Sequence, residues 1–369
     1  MKELIPLSFQ EKLRAIGAYA HKLGLKAWVV GGGVRDFYLG KNTEDLDLIF
    51  NGNQESVAGF CVRTWGGEKH RFSKFGTFNV QLPDGFKLDL ARLRKENYPF
   101  PGSLPEVTFT TNLKEDLFRR DFTVNAWALS ISPDTFGKSC DSYGAKKDID
   151  RGLIRVLHEK SFLDDPTRMF RAVRFAGRFG WKLAPKTEQL LRKGVEEQYP
   201  LLISRDRFSH ELIKILEENT VRPIFSLMEK YNLLQFAWPS LSYYPELDAV
   251  KDSELRLGVL VLGLKEKGED FLHTLRVPKH LSHEIHGAWR VQQEEMAPLG
   301  KISAYQESLL KLMHPNLPSA ALTPCFIHGK ELQGLGLFGR RISGALHRVR
   351  RAQWEGTVSN REEALKLLC

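Results

Sequence analysis

Two aspartates one residue apart, Asp45 and Asp47 in DLDLIF, lie inside an apolar run that follows the glycine triplet Gly31–Gly33. AWVVGGG reads as a strand entering a turn, VRDFYLG as a short helix that stops at Gly40, and DLDLIF as a second strand. Side chains at i and i+2 of a strand point the same way. Asp45 and Asp47 therefore share one face, with Leu46 and Leu48 on the other. Like charges so placed repel, and burial raises the cost. Two readings meet that constraint. In one, an edge strand turns its polar side to water. In the other, a divalent cation removes the repulsion. Carboxylate oxygens suit Mg²⁺, which binds one or two carboxylates together with substrate phosphates. Asp89, in KLDLA, is either a third carboxylate for the same site or a polar residue on a half-exposed strand. The glycines let backbone amides approach a phosphate without a Cβ in the way, and Arg35 adds a cation one turn into the helix. Glycine turn, cation and carboxylate pair together suit phosphoryl or nucleotidyl transfer with metals bridging the attacking and leaving oxygens.

Other signals place this unit in an α+β head with a mixed sheet. Residues 9–24 carry Leu13, Ile16, Ala20 and Leu23 at helical spacing, and Pro83-Asp84-Gly85 separates GTFNVQL from FKLDLARL as a hairpin turn does. From about residue 158 helical periodicity dominates and strands are hard to find, with Pro239, Pro245, Pro278, Pro315 and Pro318 dividing the remainder. The expected organisation is a catalytic head over 1–157, a helical neck over 158–217, a helical body over 218–305 and a helical tail over 306–369.

Composition removes several classes. No run approaches the ~20 apolar residues of a membrane span. The amphipathic, acid-containing N-terminus lacks a signal peptide's apolar centre and reads as a cytoplasmic start. Cys61, Cys140, Cys325 and Cys369 show no CxxC spacing, so reduced thiols are expected rather than a zinc site or disulfides, and the histidines show no metal spacing. A formal net charge of +9 favours a polyanionic partner.

GGGVRDFYLG followed by EDLDLIF resembles the opening motif of the class II tRNA nucleotidyltransferase and bacterial poly(A) polymerase family, within the DNA polymerase beta superfamily. Further matches follow in order. DLFRRDFTVNAWAL is similar to the family's second motif, DSYGAKKDIDRGLIRVL to its hinge motif, DDPTRMFRAVRFAGRFGW to its base-selecting helix and SRDRFSHELIKIL to its last neck motif. The stretch from Gly329 to Leu365 looks like the tail helices, more loosely. The resemblance implies that Asp45 and Asp47 bind the metal, and that Gly32, Gly33 and Arg35 hold the triphosphate. Arg120, Asp121 and Asn125 would contact ribose and phosphates, and Asp165 and Arg168 would read the base. Arg171 and Arg174 would support that helix or reach the phosphates. The chain departs from the pattern at Asp164, where Glu is usual, and at Val124 and Trp127, where Ile and Met are usual. Residues 89–107 fall where the family has a loop tied to the switch from C to A addition, and keep Arg94, Glu96 and Tyr98.

Base reading by Asp165 and Arg168 has its own physical logic. Three residues apart on a helix, they are neighbours on one face. A carboxylate accepts hydrogen bonds and a guanidinium only donates. Cytosine presents an amino donor beside a ring acceptor, and adenine does the same, whereas uracil and guanine present the reverse order. One Asp/Arg pair thus admits C and A and rejects U and G without a nucleic-acid template. Asp-Pro ahead of a helical run is also a common helix start, with Asp165 as cap, and both roles stay open here. Ser204, Arg207 and Glu211 read as a capping and ion-pair set. Arg340, Arg341, Arg348, Arg350 and Arg351 are either a solvated face or a grip on RNA phosphates.

These observations together imply a template-independent, Mg²⁺-dependent transferase using CTP, ATP or both. It would extend the 3′ acceptor end of tRNA and release pyrophosphate by a two-metal mechanism, with no membrane and no obligate protein partner evident. The alternatives are a poly(A) polymerase acting on general RNA ends, a non-catalytic RNA-binding protein on a degenerate head, and a sugar- or antibiotic-modifying nucleotidyltransferase. The intact Asp-Leu-Asp counts against the second of these, and the RRD motif and long basic remainder against the third.

Overall fold

The computed structural model describes residues 4–41, 43, 45–72 and 76–368, the side chains of 71 and 72 excepted. Cys369 lies outside the described residues. The chain forms two compact units, Met1–Ile203 and Ser204–Cys369. That boundary falls inside the segment 158–217 expected as a neck. Helices Ser161–Asp164, Thr167–Phe179 and Pro185–Glu196 belong to the first unit, and helix Arg205–Leu216 to the second.

The first unit contains the expected mixed sheet. Its strands are β1 (Ala27–Val30), β2 (Asp45–Phe50), β3 (Glu68–Phe72), β4 (Thr77–Gln81) and β5 (Lys87–Arg92). A separate hairpin, β6 (Arg94–Asn97) with β7 (Glu106–Phe109), precedes β8 (Ala128–Ser130) and β9 (Ser139–Cys140). The sheet order is β3-β4-β5-β2-β1-β8-β9. β2 and β5 run parallel, and the other neighbours antiparallel. Parallel pairing needs a long crossover; helix Glu55–Trp65, β3 and β4 supply it.

The register explains how the acidic face is tolerated. Val30 pairs with Asp47 and Trp28 with Ile49 across β1–β2, while Asp47 pairs with Asp89 and Ile49 with Ala91 across β2–β5. Asp47 and Ile49 thus share a face with Val30 and Ala91. Half of that face is buried: Val30, Ile49 and Ala128 pack with Leu117 and Ala126, and Leu113 and Tyr143 lie against them. Helix Leu113–Phe118 is the cover. The carboxylate end of the same face stays exposed, whereas Leu46 and Leu48 on the other side are buried.

Helix Thr167–Phe179 ends at Gly180 in the left-handed conformation that suits glycine at a helix C-terminus. It is bracketed by a short parallel pair, Leu153–Ile154 with Lys182–Leu183, so one strand does occur beyond residue 158. Its apolar stripe, Met169, Val173 and Ala176, is buried as the spacing predicts. Arg168 and Arg174 are buried too, at 4% and 6% exposure, which the spacing does not predict.

Helices are the only regular elements among the described residues of the second unit. Ser204 caps its first helix by accepting from the Arg207 amide. Arg256, 1% exposed, donates to the carbonyls of Leu216, Glu218, Asn219, Leu247 and Val250 and so ties three chain segments together. Arg256→Met should lower stability by at least about 3 kcal/mol, because several buried carbonyls lose their donor. Urea unfolding measures this, and a change within about 0.5 kcal/mol would contradict the role. Arg350 acts alike on the carbonyls of Ala297, Ala321 and Thr323. It therefore belongs neither to a solvated face nor to a grip on RNA phosphates, the two readings the sequence left for this run; Arg340, Arg341 and Arg348 are exposed. Cys61, Cys140 and Cys325 are free thiols, and burial pushes Cys61 up to about 12. No helix among the described residues is long and apolar enough to cross a membrane.

Candidate active site

The glycine turn and the acidic strand meet at one point. Gly31 has φ +72°, which an L side chain rarely adopts. A Cβ there would stand 3.0 Å from Arg120 Nη1 and 3.2 Å from Asp47 Oδ2. Gly33 is placed for a different reason: its Cβ would lie 2.6 Å from Leu46 Cδ2, so a side chain there would make Leu46 shift where the helix start packs on β2. Within the triplet, Gly31 faces the candidate site and Gly33 serves close packing.

Asp47 and Asp89 are register partners on adjacent strands, and Asp45 precedes them on the same face. Asn79 Nδ2 donates to Asp89 Oδ1 at 2.9 Å, and Lys87 Nζ lies 3.9 Å from Asp45 Oδ1. Although Asp47 is solvent-accessible, the surrounding protein raises its carboxyl above the usual range. Arg120 pulls it down, and Asp89 and Asp45 push it up again. Among the described residues no three His, Cys, Asp or Glu side chains converge as a metal cage. Two carboxylates on β2 beside a third match a cation that takes its remaining ligands from phosphate and water.

The second motif supplies the cations. Arg120 Nη2 donates to Asp116 Oδ2 at 3.2 Å, while its buried Nε–H has no protein partner. An open donor on a guanidinium whose Nη1 stands at the glycine turn near Asp47 is an expected anchor for an anionic ligand arriving with its counter-cation. Asp121 is satisfied within the protein: Oδ1 accepts from Asn125 Nδ2 and the Phe122 amide, and Oδ2 from Arg171 Nε and Nη2. Burial would raise Asp121, but Arg171 and Asn125 overcome it and hold the carboxyl down at about 2. Asn125 Oδ1 in turn accepts from Arg35 Nη1 at 2.6 Å. Arg35 is 4% exposed, paired with Asp36, and stacked 4.8 Å from the Phe179 ring centroid. The resemblance implies a triphosphate holder at Arg35; its guanidinium also links the glycine-turn helix to Asn125 and Phe179. Arg171–Asp121–Asn125–Arg35 forms one chain of hydrogen bonds between the two helices.

Asp165 and Arg168 stand together, with Oδ2 and Nε 3.9 Å apart. Asp165 Oδ1 also accepts from the Thr167 amide and hydroxyl, so it does start the helix. Arg168 donates to Ser161 Oγ, Tyr98 Oη and the Arg119 carbonyl. Arg174 lies 4.8 Å from the Phe175 ring centroid. The segment 89–107 forms the end of β5 and the β6–β7 hairpin, whose Gly102 amide donates to the Leu163 carbonyl. Asp164 lines a cavity of about 490 Å³ with Tyr98, Phe118, Tyr143, His158 and Arg168.

Two groups escape sequence reasoning. Asn79 is one, since only strand pairing sets it beside Asp89. Asp116 is the other: it opens the second motif and precedes Arg119 and Arg120 by three and four residues, a helical pairing signal that the reading of the arginines passed over.

Residues 27–155 match the family described as the poly A polymerase head domain, and residues 180–244 match the probable RNA and SrmB-binding site of polymerase A. The chain is similar to an A-adding tRNA nucleotidyltransferase of Aquifex aeolicus (strain VF5), 36% identical over 275 residues, 69% of this chain and 33% of that protein. It is similar to a CCA-adding enzyme of Geobacillus stearothermophilus, 32% identical over 308 residues, 80% of this chain and 69% of that protein. Among solved structures it is similar to a CCA-adding enzyme in complex with ATP, with a TM-score of 0.71 at 26% identity over 99% of this chain and 94% of that one. The chain spans about a third to a half of the length of the A-adding relatives it matches.

Proposed function

The chain belongs to the class II tRNA nucleotidyltransferase family, and from that premise we propose that it adds C, A or both to the 3′ end of tRNA without a nucleic-acid template, releasing pyrophosphate. The observation that carries this reading is the meeting of Asp47, Gly31 and the guanidinium of Arg120, through its Nη1, at one point.

Asp45 and Asp47 would hold Mg²⁺, with Asp89 beside them. Held there, Mg²⁺ supplies the charge that makes the terminal RNA hydroxyl a nucleophile and stabilises the departing pyrophosphate. Arg120 would offer its guanidinium to the phosphates. Asp165 accepts from the amino group of C or A while Arg168 donates to the adjacent ring nitrogen. Asp121 and Asn125, held by Arg171 and Arg35, set the spacing between the base-reading helix and the glycine turn. The exposed Arg340, Arg341 and Arg348 would meet RNA phosphates, in a way that weakens with salt. Cytoplasm is the proposed place of work, since the tRNA substrate is there. The A-adding and CCA-adding relatives leave two nucleotide specificities in view.

The test is product length. tRNAs ending at the discriminator base, at C and at CC are each given labelled CTP or ATP. With one nucleotide supplied at a time, one or two added residues is the expected result, and UTP and GTP offered in the same way should give none. Long A tails on any RNA end would move the assignment to a poly(A) polymerase, and no product with any nucleotide would refute the transferase.

A further inference from the structure

Asp116 is fully buried, at 0% exposure, between the two arginines of the second motif. Its Oδ1 accepts from Arg119 Nε at 2.9 Å, Arg119 Nη2 at 2.8 Å and the Arg94 amide at 3.1 Å, and its Oδ2 accepts from Arg120 Nη2 at 3.2 Å. Two branches leave this one carboxylate. Through Arg120 it reaches the glycine turn and Asp47. Through Arg119 it reaches the base-reading pair. Arg119 Nη1 donates to Glu96 Oε1 at 2.9 Å, and Tyr98 Oη donates to Glu96 Oε2 at 3.1 Å. Arg168 Nη2 donates to Tyr98 Oη at 3.3 Å and to the Arg119 carbonyl at 2.8 Å.

We propose that Asp116 is a positioning residue that ties the phosphate-facing Arg120 to the base-reading Arg168, so that nucleotide selection and transfer share one buried anchor. The proposal rests on the transferase reading above. Its physics is preorganisation. Two adjacent guanidiniums repel, and each loses side-chain freedom when held; a single buried carboxylate with four donors removes both problems before substrate arrives. Burial alone would raise Asp116, yet the two arginines bring it below the usual carboxylate range, so the anchor is ionised. A role in folding alone would need the carboxylate and the helix, but not the onward relay through Glu96 and Tyr98 to Arg168. Hydrogen-bond networks of this kind act as units, so their members should couple energetically.

Asp116→Asn in the full chain keeps the shape and the Oδ1 acceptor, and sets an amide N–H against a guanidinium. The KM for CTP or ATP should rise at least tenfold, and the preference for C and A over U and G should fall at least tenfold, with the KM for tRNA within twofold. The selectivity lost through Glu96→Gln should shrink at least threefold in the Asp116→Asn background. Tyr98→Phe, which removes only the hydroxyl relay, should lower selectivity without lowering the melting temperature, and tests the idea even where Asp116→Asn fails to fold. An active wild type whose Asp116→Asn or Tyr98→Phe variant keeps nucleotide KM and selectivity overturns the positioning role alone. A wild-type chain that transfers no nucleotide overturns the role and the transferase reading together.

Discussion

Asp47→Ala should lower nucleotide transfer by roughly 10³-fold or more, since a lost metal ligand removes several kcal/mol of transition-state stabilisation and each 1.36 kcal/mol is tenfold. Asp45→Ala is expected to act in the same direction. Binding of tRNA should change little, because neither carboxylate contributes positive charge to an RNA surface. The fold should not suffer. Asp47 is held in an unfavourable state by the surrounding protein and by its acidic neighbours, so removing it relieves repulsion. The melting temperature of Asp47→Ala should therefore equal or exceed that of the wild type in the absence of divalent cations. Primer extension, filter binding and thermal unfolding read the three quantities. Transfer at the wild-type rate would refute the metal assignment, and a much lower melting temperature would recast the aspartate as structural.

Asp165 offers the second large effect, and its contacts with Thr167 and Arg168 show how to separate its helix-starting role from the proposed base-reading one. Asp165→Ala removes both the helix cap and the base acceptor, so a loss of selectivity comes with about 1 kcal/mol of lost stability. Asp165→Asn keeps an oxygen for the Thr167 amide and hydroxyl, but replaces the carboxylate beside Arg168 with a group that donates. Its stability should stay within about 0.5 kcal/mol of the wild type. Its preference for C and A over U and G should fall by roughly 10²-fold, because a mismatched buried polar pair costs several kcal/mol. Competition between labelled nucleotides at a fixed primer end measures the ratio. Unchanged preference in Asp165→Asn would leave Asp165 as a cap and nothing more.

The contrast between Asp165 and Arg35 shows what a linear reading can carry. Asp165 obeys a local rule in each role: its cap partner is two residues away and its arginine three, so both are visible as spacing. Arg35 obeys none. Its partners Asn125 and Phe179 are brought to it by the sheet and by the returning helix, and they turn an arginine beside a glycine turn inward. Arg350 follows the same logic in the second unit, where a basic run contains one residue whose acceptors are the carbonyls of distant turns. Charge runs are read from composition along the chain, but burial of one member is decided by what folds over it.

The sequence by itself determined the alternation of strands and helices in the head, the helical remainder, the shared face of Asp45 and Asp47, and the order of the family's motifs, because each of these follows from periodicities of two or 3.6 residues and from short fixed spacings. Only the tertiary structure decided that Asp89 stands opposite Asp47, that Gly31 rather than Gly33 faces the carboxylates, and that Asp116 accepts from both Arg119 and Arg120 while buried. Strand register and the packing of one segment on another depend on the summed burial of side chains far apart along the chain, and no local spacing encodes that sum.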